Sequence, residues 1–186
     1  MQGQRERVLD AAVGVVAAEG VRALEHEAVD AAAGLAAGVT RSLFPTREDL
    51  VVAVADRCIE REMAMVAGPA GEVAPSPDDV ATAFGGFVRR ALGEDRVVTL
   101  ARYALQADAA MTPARRGHYA VGAGQVNDWA TDLLRRAGSP HPERDLGIVA
   151  NYVTGLVFHE LALPTPGLDP SARVRDLIDA LGWAAP

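Results

Sequence analysis

Three consecutive polar side chains, those of Thr40, Arg41 and Ser42, lie between apolar residues in the N-terminal quarter of the chain. An arginine can form two hydrogen bonds with guanine in a DNA major groove, and serine or threonine can contact a base or a phosphate. The same residues would also suit an ordinary solvated helix. We expect them on or near the exposed face of a short helix, and contact with DNA and simple solvation both stay open. Arg5 and Arg7 could likewise form an arm along a DNA backbone or a frayed polar terminus.

The residues around this cluster predict two short helices joined by a tight turn. We expect helices over residues 26–33 and 37–43, with Gly34 between them at a positive φ that ends the first helix. Pro45 cannot continue the second helix, and Thr46 is a typical N-cap for a longer helix over residues 46–66. Two short helices with a glycine turn describe a helix-turn-helix, whose second helix can enter a major groove.

The net charge is an objection to nucleic-acid binding, which draws mainly on basic side chains. The chain has 18 basic and 25 acidic residues, a net charge of −7, and it contains no lysine. Residues 1–50 hold five arginines and eight acidic residues, so they lack the basic footprint of a DNA-binding domain. Glu25, Glu27 and Asp30 would repel phosphates if they faced DNA, although a carboxylate can also accept a hydrogen bond from cytosine N4. Alternatively, Asp30 and Glu27 could pair with arginines and not face DNA.

The rest of the chain predicts further helices. Apolar residues recur at helical spacing from a first helix over residues 5–19 to a last helix that opens at Asp169 and Pro170. A short extended link is expected at residues 21–24. No alternating strand pattern occurs, so we predict an all-α fold of about nine helices. Cys58 is the single cysteine, which excludes an intrachain disulfide and suits a reducing cytoplasm.

Catalytic and metal-binding motifs are missing from the sequence. The four histidines, including His159 beside Glu160, do not have the spacing of metal ligands. We find no nucleophile signature and no strand followed by a glycine-rich phosphate loop. The sequence therefore predicts neither an enzyme nor a bound cofactor or metal.

A second group of residues could bind a small molecule. Ligand pockets are mostly apolar and contain a few polar groups, and the C-terminal helices carry aromatic and amide side chains of this kind. Any one of the aromatic residues is better explained as part of a core, so the hypothesis concerns the group. The candidate ligand-binding residues are Phe84, Phe87, Tyr103, Tyr119, Trp129, Asn151 and Tyr152.

Three segments within about the first 55 residues resemble the N-terminal domain of the TetR family of transcriptional regulators, whose pattern is roughly A-G-V-S-K-G-T-L-Y-Y-H-F-P-S-K-E-E-L. The closing F-P-x-[KR]-E-x-L part is the most specific. The chain departs from the family at Ala36 and Ala37, which replace the polar and basic residues that begin the recognition helix. The matching segments are Ala33-Gly34-Leu35, Gly38-Val39-Thr40 and Phe44-Pro45-Thr46-Arg47-Glu48-Asp49-Leu50.

The resemblance implies two domains. Residues 1–45 would form a DNA-binding helix-turn-helix domain, and residues 46–186 a helical ligand-binding and dimerisation domain with 46–66 as the connecting helix. Arg47 stands where the family places a lysine that contacts phosphate. The full set of expected DNA-binding residues is Arg5, Gly38, Thr40, Arg41, Ser42 and Arg47.

The resemblance also implies a function. We expect a cytoplasmic homodimer, joined through the last two helices, that represses transcription from a double-stranded DNA operator. A small apolar or amphipathic effector would bind among the C-terminal helices, move the connecting helix and release the DNA. The alternative is a dimeric ligand-binding or protein-interaction module whose helix-turn-helix no longer binds DNA, which the acidic first domain favours. No membrane partner is expected.

Overall fold

Nine α-helices make up most of the part of the chain that the structure describes. The computed structural model describes residues 2–66 and 75–183, except for the side chains of Gln2, Val66, Tyr119, residues 121–123 and Gln125. No β-strand occurs within these ranges, and the predicted all-α fold is confirmed. The helices are α1 Gln2–Glu19, α2 His26–Ala33, α3 Val39–Leu43, α4 Arg47–Val66, α5 Pro77–Leu92, α6 Arg96–Met111, α7 Arg116–Arg136, α8 Pro142–Ala162 and α9 Pro170–Ala180, with 3₁₀ turns at Val21–Ala23 and Pro113–Arg115.

The first of two compact units holds Met1–Ala64 and Asp95–Ala123, which include α1 to α3, most of α4, α6 and the start of α7. Helix α1 packs against both α2 and α6. Its apolar face is fully buried at Val8, Ala12 and Val16, which are spaced one turn apart. Because burial of each valine stabilises the fold by about 1.5–3 kcal/mol, this face is what fixes α1 in the unit.

The second unit holds Met65–Glu94 and Gly124–Pro186, which include α5, the end of α7, α8 and α9. Helix α5 packs against α9 and α8. The contact with α9 is so close that a Cβ added at Gly85 would lie 2.7 Å from the Cα atom of Ser171. Only a residue without a side chain fits at this crossing.

Reciprocal hydrogen bonds begin two of the long helices. At α4, the Thr46 hydroxyl accepts from the Asp49 amide at 3.0 Å, and the Asp49 carboxylate accepts from the Thr46 amide at 3.0 Å. Ser76 and Asp79 form the same capping box at α5. Each pair satisfies amide donors that the first helical turn leaves without partners. The predicted N-cap at Thr46 is therefore confirmed.

Two local predictions differ from the structure. The link at residues 21–24 is not extended: Gly20 has a φ of 82°, and the amides of Ala23 and Leu24 bond back to Gly20 and Val21, because no neighbouring strand offers them partners. Helix α3 begins at Val39 instead of residue 37, because the chain turns through Gly38 first. No helix in the described ranges is long and apolar enough to cross a bilayer.

Candidate functional site

A buried carboxylate fixes the turn between α2 and α3. Asp30, on α2, accepts hydrogen bonds from the Gly38 amide at 2.7 Å, the Thr40 amide at 2.8 Å and the Thr40 hydroxyl at 2.6 Å. Burial alone would raise the pKa of Asp30, but these hydrogen bonds outweigh it and hold the pKa below its ordinary value. Since the N-cap residue of α3 is a glycine, Asp30 caps α3 from the neighbouring helix.

Glycines shape the turn, and a histidine closes its far end. Gly34 has a φ of 63° and Gly38 a φ of 91°, a region that favours glycine. At the end of α3, the buried His26 donates from Nε2 to the carbonyl oxygen of Phe44 at 2.7 Å. Both ends of α3 are therefore tied to α2, and the two helices form a rigid helix-turn-helix.

Helix α3 exposes two of its three polar residues. Arg41 and Ser42 are exposed, and the Ser42 hydroxyl donates to the carbonyl oxygen of Val39 at 2.7 Å. Thr40 is a correction to the expectation that all three lie near the exposed face, because its side chain is fully buried and bonded to Asp30. Thr40 therefore holds α3 in position, and its buried side chain does not present a surface to DNA.

Arg41 on α3 and Arg47 at the start of α4 are both paired with carboxylates. Arg41 donates to Glu27 at 3.1 Å, and Arg47 donates to Glu25 at 3.1 Å and to the carbonyl oxygen of Val21 at 2.6 Å. A hydrogen bond from the backbone and a second from Arg41 lower the pKa of Glu27. The alternative in which Glu27 pairs with an arginine agrees with the structure, whereas Asp30 bonds to the turn instead. The sequence analysis did not expect the pair of Glu25 with Arg47.

The N-terminal arginines lie in α1 and not in an extended arm. The guanidinium of Arg5 lies over the ring of Phe44, 5.3 Å from its centroid. Arg7 donates to the carbonyl oxygen of Ala33 at the end of α2, at 3.2 Å. Both contacts tie α1 to the helix-turn-helix, so Arg5 lies beside the end of α3.

The predicted ligand-binding residues are divided between the two units. Tyr103 lies in the first unit, half-buried, with the guanidinium of Arg102 4.5 Å from its ring centroid. Tyr119 also belongs to the first unit, but its side chain lies outside the described residues. In the second unit, the aromatic residues on α5 and α7 are half-buried; these are Phe84, Phe87 and Trp129. The two candidates on α8, Asn151 and Tyr152, are exposed.

A polar joint in the first unit fastens α4 to the start of α7, and the sequence analysis did not find it. Arg115 donates to Glu48 at 2.7 Å and is also paired with Asp108, and His118 lies 2.8 Å from Asp56. The carboxylates of Glu48 and Asp108 raise the pKa of Arg115, and Arg115 lowers the pKa of Glu48. Arg115 and Glu48 are 67 residues apart in the sequence, and His118 and Asp56 are 62 apart, so no local sequence pattern could indicate these pairs.

The cleft beside this joint is too small for an effector. It has a volume of about 50 Å³, whereas drug-sized ligands occupy about 300–1,000 Å³. It is lined by Glu48, Val51, Val52, Ala55, Ala114, Arg115 and His118. We therefore interpret this place as a mechanical contact between helices.

One face of α8 exposes apolar side chains. Ile148 is 40% exposed and Tyr152, one turn later, is 36% exposed, and Phe158 near the end of the helix is 61% exposed. The glycine at position 155 on the same stretch has open space where a Cβ would stand. An exposed apolar stripe with a small residue within it is typical of a surface that packs against another helix.

Comparison with known proteins places these features in a family. Residues 75–182, more than half of the chain, match the family described as tetracyclin repressor-like, C-terminal domain. No curated protein sequence matches the chain.

Solved structures agree over nearly the whole length. A Rhodococcus sp. protein assigned to the TetR family superposes over 96% of this chain and 98% of its own chain, at 22% identity and a TM-score of 0.82. For a member of the TetR family from Streptomyces coelicolor A3, the match covers 96% of this chain and 97% of that protein, at 26% identity and a TM-score of 0.75. The multidrug binding protein EbrR complexed with ethidium covers 96% and 98%, at 28% identity and a TM-score of 0.70. The chain belongs to the TetR family of transcriptional regulators, which are DNA-binding regulators and not enzymes.

Proposed function

We propose that this protein is a repressor that binds operator DNA through α3 and releases it when a small molecule binds. The observation that carries the proposal is the fixed position of α3. Asp30 holds its first turn and His26 its last, while Arg41 and Ser42 stay exposed. A rigid helix with an exposed arginine and serine suits recognition of base edges in a major groove. The protein would act in the cytoplasm.

The proposed domains are residues 1–45 for DNA binding and 46–186 for effector binding and dimerisation. Helix α4 would connect them. Arg115 and His118 fasten α4 to the 3₁₀ turn and to α7 within the first unit, so a shift of α7 would be transmitted to α4. An effector can drive that shift only by differential affinity for the two positions of the helix.

We propose a homodimer joined through α8 and α9. The support is the exposed apolar stripe of α8, which includes Ile148, Tyr152 and Phe158. A two-fold axis would present two α3 helices to successive major grooves, about 34–36 Å apart. An exposed stripe of this kind is covered when two copies form a four-helix interface.

The proposed effector is a small apolar or amphipathic molecule. The structure of EbrR with bound ethidium, an aromatic cation, supports this class for a protein 28% identical to this chain. The aromatic side chains Phe84, Phe87 and Trp129 are only half-buried, so part of each surface can still be covered by a ligand. Fluorescence of ethidium titrated with the protein, in the absence of DNA, tests this binding directly.

A second candidate function is a dimeric ligand-binding or protein-interaction module whose helix-turn-helix no longer binds DNA. The observation in its favour is that Arg41 and Arg47 are both paired with glutamates. With a net charge of −7, few other basic side chains could compensate.

Binding to genomic DNA fragments across a range of salt concentrations decides between the two functions. A repressor selects one fragment, and its log K falls linearly with log salt because phosphate contacts release counterions. Arg41→Ala should reduce this binding, whereas Arg96→Ala, which removes an exposed charge outside the helix-turn-helix, should leave it nearly unchanged. If an intact dimer selects no fragment at low salt, the interaction module is the better account.

A further inference from the structure

Two glutamates form ion pairs with the arginines through which the helix-turn-helix would contact DNA. The Oε1 atom of Glu25 lies 3.1 Å from Nε of Arg47, and Oε1 of Glu27 lies 3.1 Å from Nη2 of Arg41. The side chains of Glu25 and Glu27 are 56% and 71% exposed, so both carboxylates reach the solvent beside the arginines with which they pair. Negative charge therefore stands where a phosphate would approach.

We propose that Glu25 and Glu27 compete with DNA phosphates for Arg47 and Arg41, and so reduce the affinity of the helix-turn-helix for DNA. The inference rests on the proposed DNA binding and adds an autoinhibitory contact within the DNA-binding domain. Each arginine contributes fully to binding only after its glutamate has been displaced.

Charge balance supports competition. An arginine and the carboxylate that it pairs with carry no net charge together, and salt-dependent affinity grows with the number of phosphates that net positive charge neutralises. Exposed ion pairs are weak, so DNA can displace the glutamates without unfolding the domain. Arg47 also bonds to the carbonyl oxygen of Val21 at 2.6 Å, which keeps its guanidinium in place when Glu25 leaves.

The geometry of the Arg41 pair favours competition over support. A carboxylate that orients an arginine for guanine is most effective when it binds the guanidinium through two parallel hydrogen bonds. Arg41 and Glu27 are joined by one hydrogen bond, at 3.1 Å, and Arg41 is 57% exposed. A single exposed bond holds the side chain loosely and is readily exchanged for a phosphate.

The test compares wild-type protein with the double variant Glu25→Gln/Glu27→Gln. The probe is a random-sequence duplex of about 30 base pairs, long enough for two half-sites roughly one helical turn apart. We expect the double variant to bind about tenfold more tightly at low salt, with a plot of log K against log salt steeper by about 0.9 for each arginine released. Both proteins are first compared by thermal unfolding.

Glu60→Gln is the matched control. Glu60 is 64% exposed and pairs with Arg57 at 3.3 Å on α4, so this variant breaks one ion pair outside the helix-turn-helix with the same change in charge as each single substitution of the double variant. It should change affinity by less than about twofold, because a distant exposed charge is screened. If Glu60→Gln tightens binding as much as the double variant, net charge alone explains the effect and the competition is overturned.

The remaining outcomes separate this inference from the proposed function. If wild-type protein binds DNA and the double variant binds equally or more weakly, the competition is overturned while DNA binding stands. Weaker binding without a steeper salt dependence would instead assign Glu27 to positioning Arg41. If neither protein binds the duplex at low salt, the inference is overturned, and the selection of genomic fragments decides separately whether the proposed function stands. Should the double variant fail to fold, the single variant Glu27→Gln carries the same test at an exposed position.

Discussion

The side chain of Asp30 on α2 holds Thr40 at the start of α3 through two hydrogen bonds, 2.8 Å from the amide and 2.6 Å from the hydroxyl. Both residues are buried, and a third bond joins Asp30 to the Gly38 amide. One carboxylate thus replaces the side-chain cap that α3 lacks at its own N-cap position. The orientation of α3, the proposed DNA-contacting helix, therefore depends on a residue that is itself buried.

Asp30→Asn should destabilise the first unit and weaken DNA binding together. The amide of asparagine presents one acceptor oxygen and an NH2 group with two donor hydrogens, so at least one of the three donors of Gly38 and Thr40 loses its acceptor in this buried or part-buried turn. An unsatisfied buried donor costs about 1–3 kcal/mol. Urea unfolding measures the stability, and the fragment-binding assay measures the DNA affinity.

Asp10→Asn provides the comparison for Asp30→Asn. Asp10 is exposed and pairs with Arg57 at 2.9 Å, so the variant makes the same chemical change at the surface of the same unit. Its loss of stability should be no more than about 1 kcal/mol. Equal losses for the two variants would show that the bonds to the turn do not contribute as the structure indicates.

The buried carboxylate of Asp145, in the second unit, should make the stability of the protein depend on pH. Asp145 accepts from Ser139 at 2.6 Å, from the indole of Trp183 at 2.8 Å and from Arg144 at 2.7 Å. Burial acts to raise the pKa of Asp145, but these three donors outweigh it and keep the pKa below the ordinary value. A lowered pKa in the folded state means that the stabilisation is complete above the unfolded-state pKa, about 3.9, and is lost as the pH falls through the folded-state pKa.

The free energy of unfolding of the wild type should therefore exceed that of Asp145→Asn by a constant amount from neutral pH to about pH 5, and by less towards pH 2. Tryptophan fluorescence during urea unfolding measures both proteins, with Trp129→Phe as the background so that Trp183 reports alone. A difference that is independent of pH across this range would contradict the assignment of the effect to the ionised carboxylate.

Two adjacent glycines on α5 should respond to alanine in opposite directions. At Gly85 the new Cβ would lie 2.7 Å from the backbone of Ser171 on α9, and overpacking of this kind costs about 1–3 kcal/mol. At Gly86 the nearest atom is the Nη2 atom of Arg89 at 4.0 Å, so alanine should gain about 0.5–1 kcal/mol of helix stability. Thermal unfolding of the two variants measures the difference, and a stabilised Gly85→Ala would contradict the close α5–α9 contact.

Local sequence rules were sufficient for most of the fold. Apolar periodicity predicted the nine helices, and Gly34, Thr46 and Pro45 marked the turn, the cap and the break that the structure contains. These features depend on the conformational preferences of single residues and their near neighbours. The family that the helix-turn-helix segments resembled is the one to which the chain belongs.

Tertiary contacts limited what the sequence could reveal about the site. Thr40 looked like an exposed polar residue, because nothing in the local pattern shows that Asp30, ten positions earlier, turns it inward. Glu27 was recognised as a possible partner of an arginine and Glu25 was not, because these pairs depend on how α2 approaches α3 and α4. The roles of the predicted DNA-binding and ligand-binding residues stay predictions until binding is measured.

Arg115→Ala should loosen the first turns of α4 without unfolding the protein. The variant removes the contacts of Arg115, which is only 13% exposed, with Glu48 on α4 and Asp108 on α6. We expect a loss of about 1–2 kcal/mol, between the values for exposed and buried ion pairs. Amide hydrogen exchange should become faster near Glu48 while the buried face of α1, at Val8 and Val16, keeps its protection.

Arg116→Ala is the matched control for this joint. Arg116 is the next residue, and its guanidinium bonds to the carbonyl oxygens of Ala109 and Ala110 at the end of α6. Its removal should leave exchange in α4 unchanged, because its hydrogen bonds hold a different helix. If both variants accelerate exchange in α4 equally, the loosening comes from the 3₁₀ turn as a whole. If Arg115→Ala has no effect on α4, the joint does not restrain this helix, and the proposed route from α7 to the DNA-binding helices loses its physical basis.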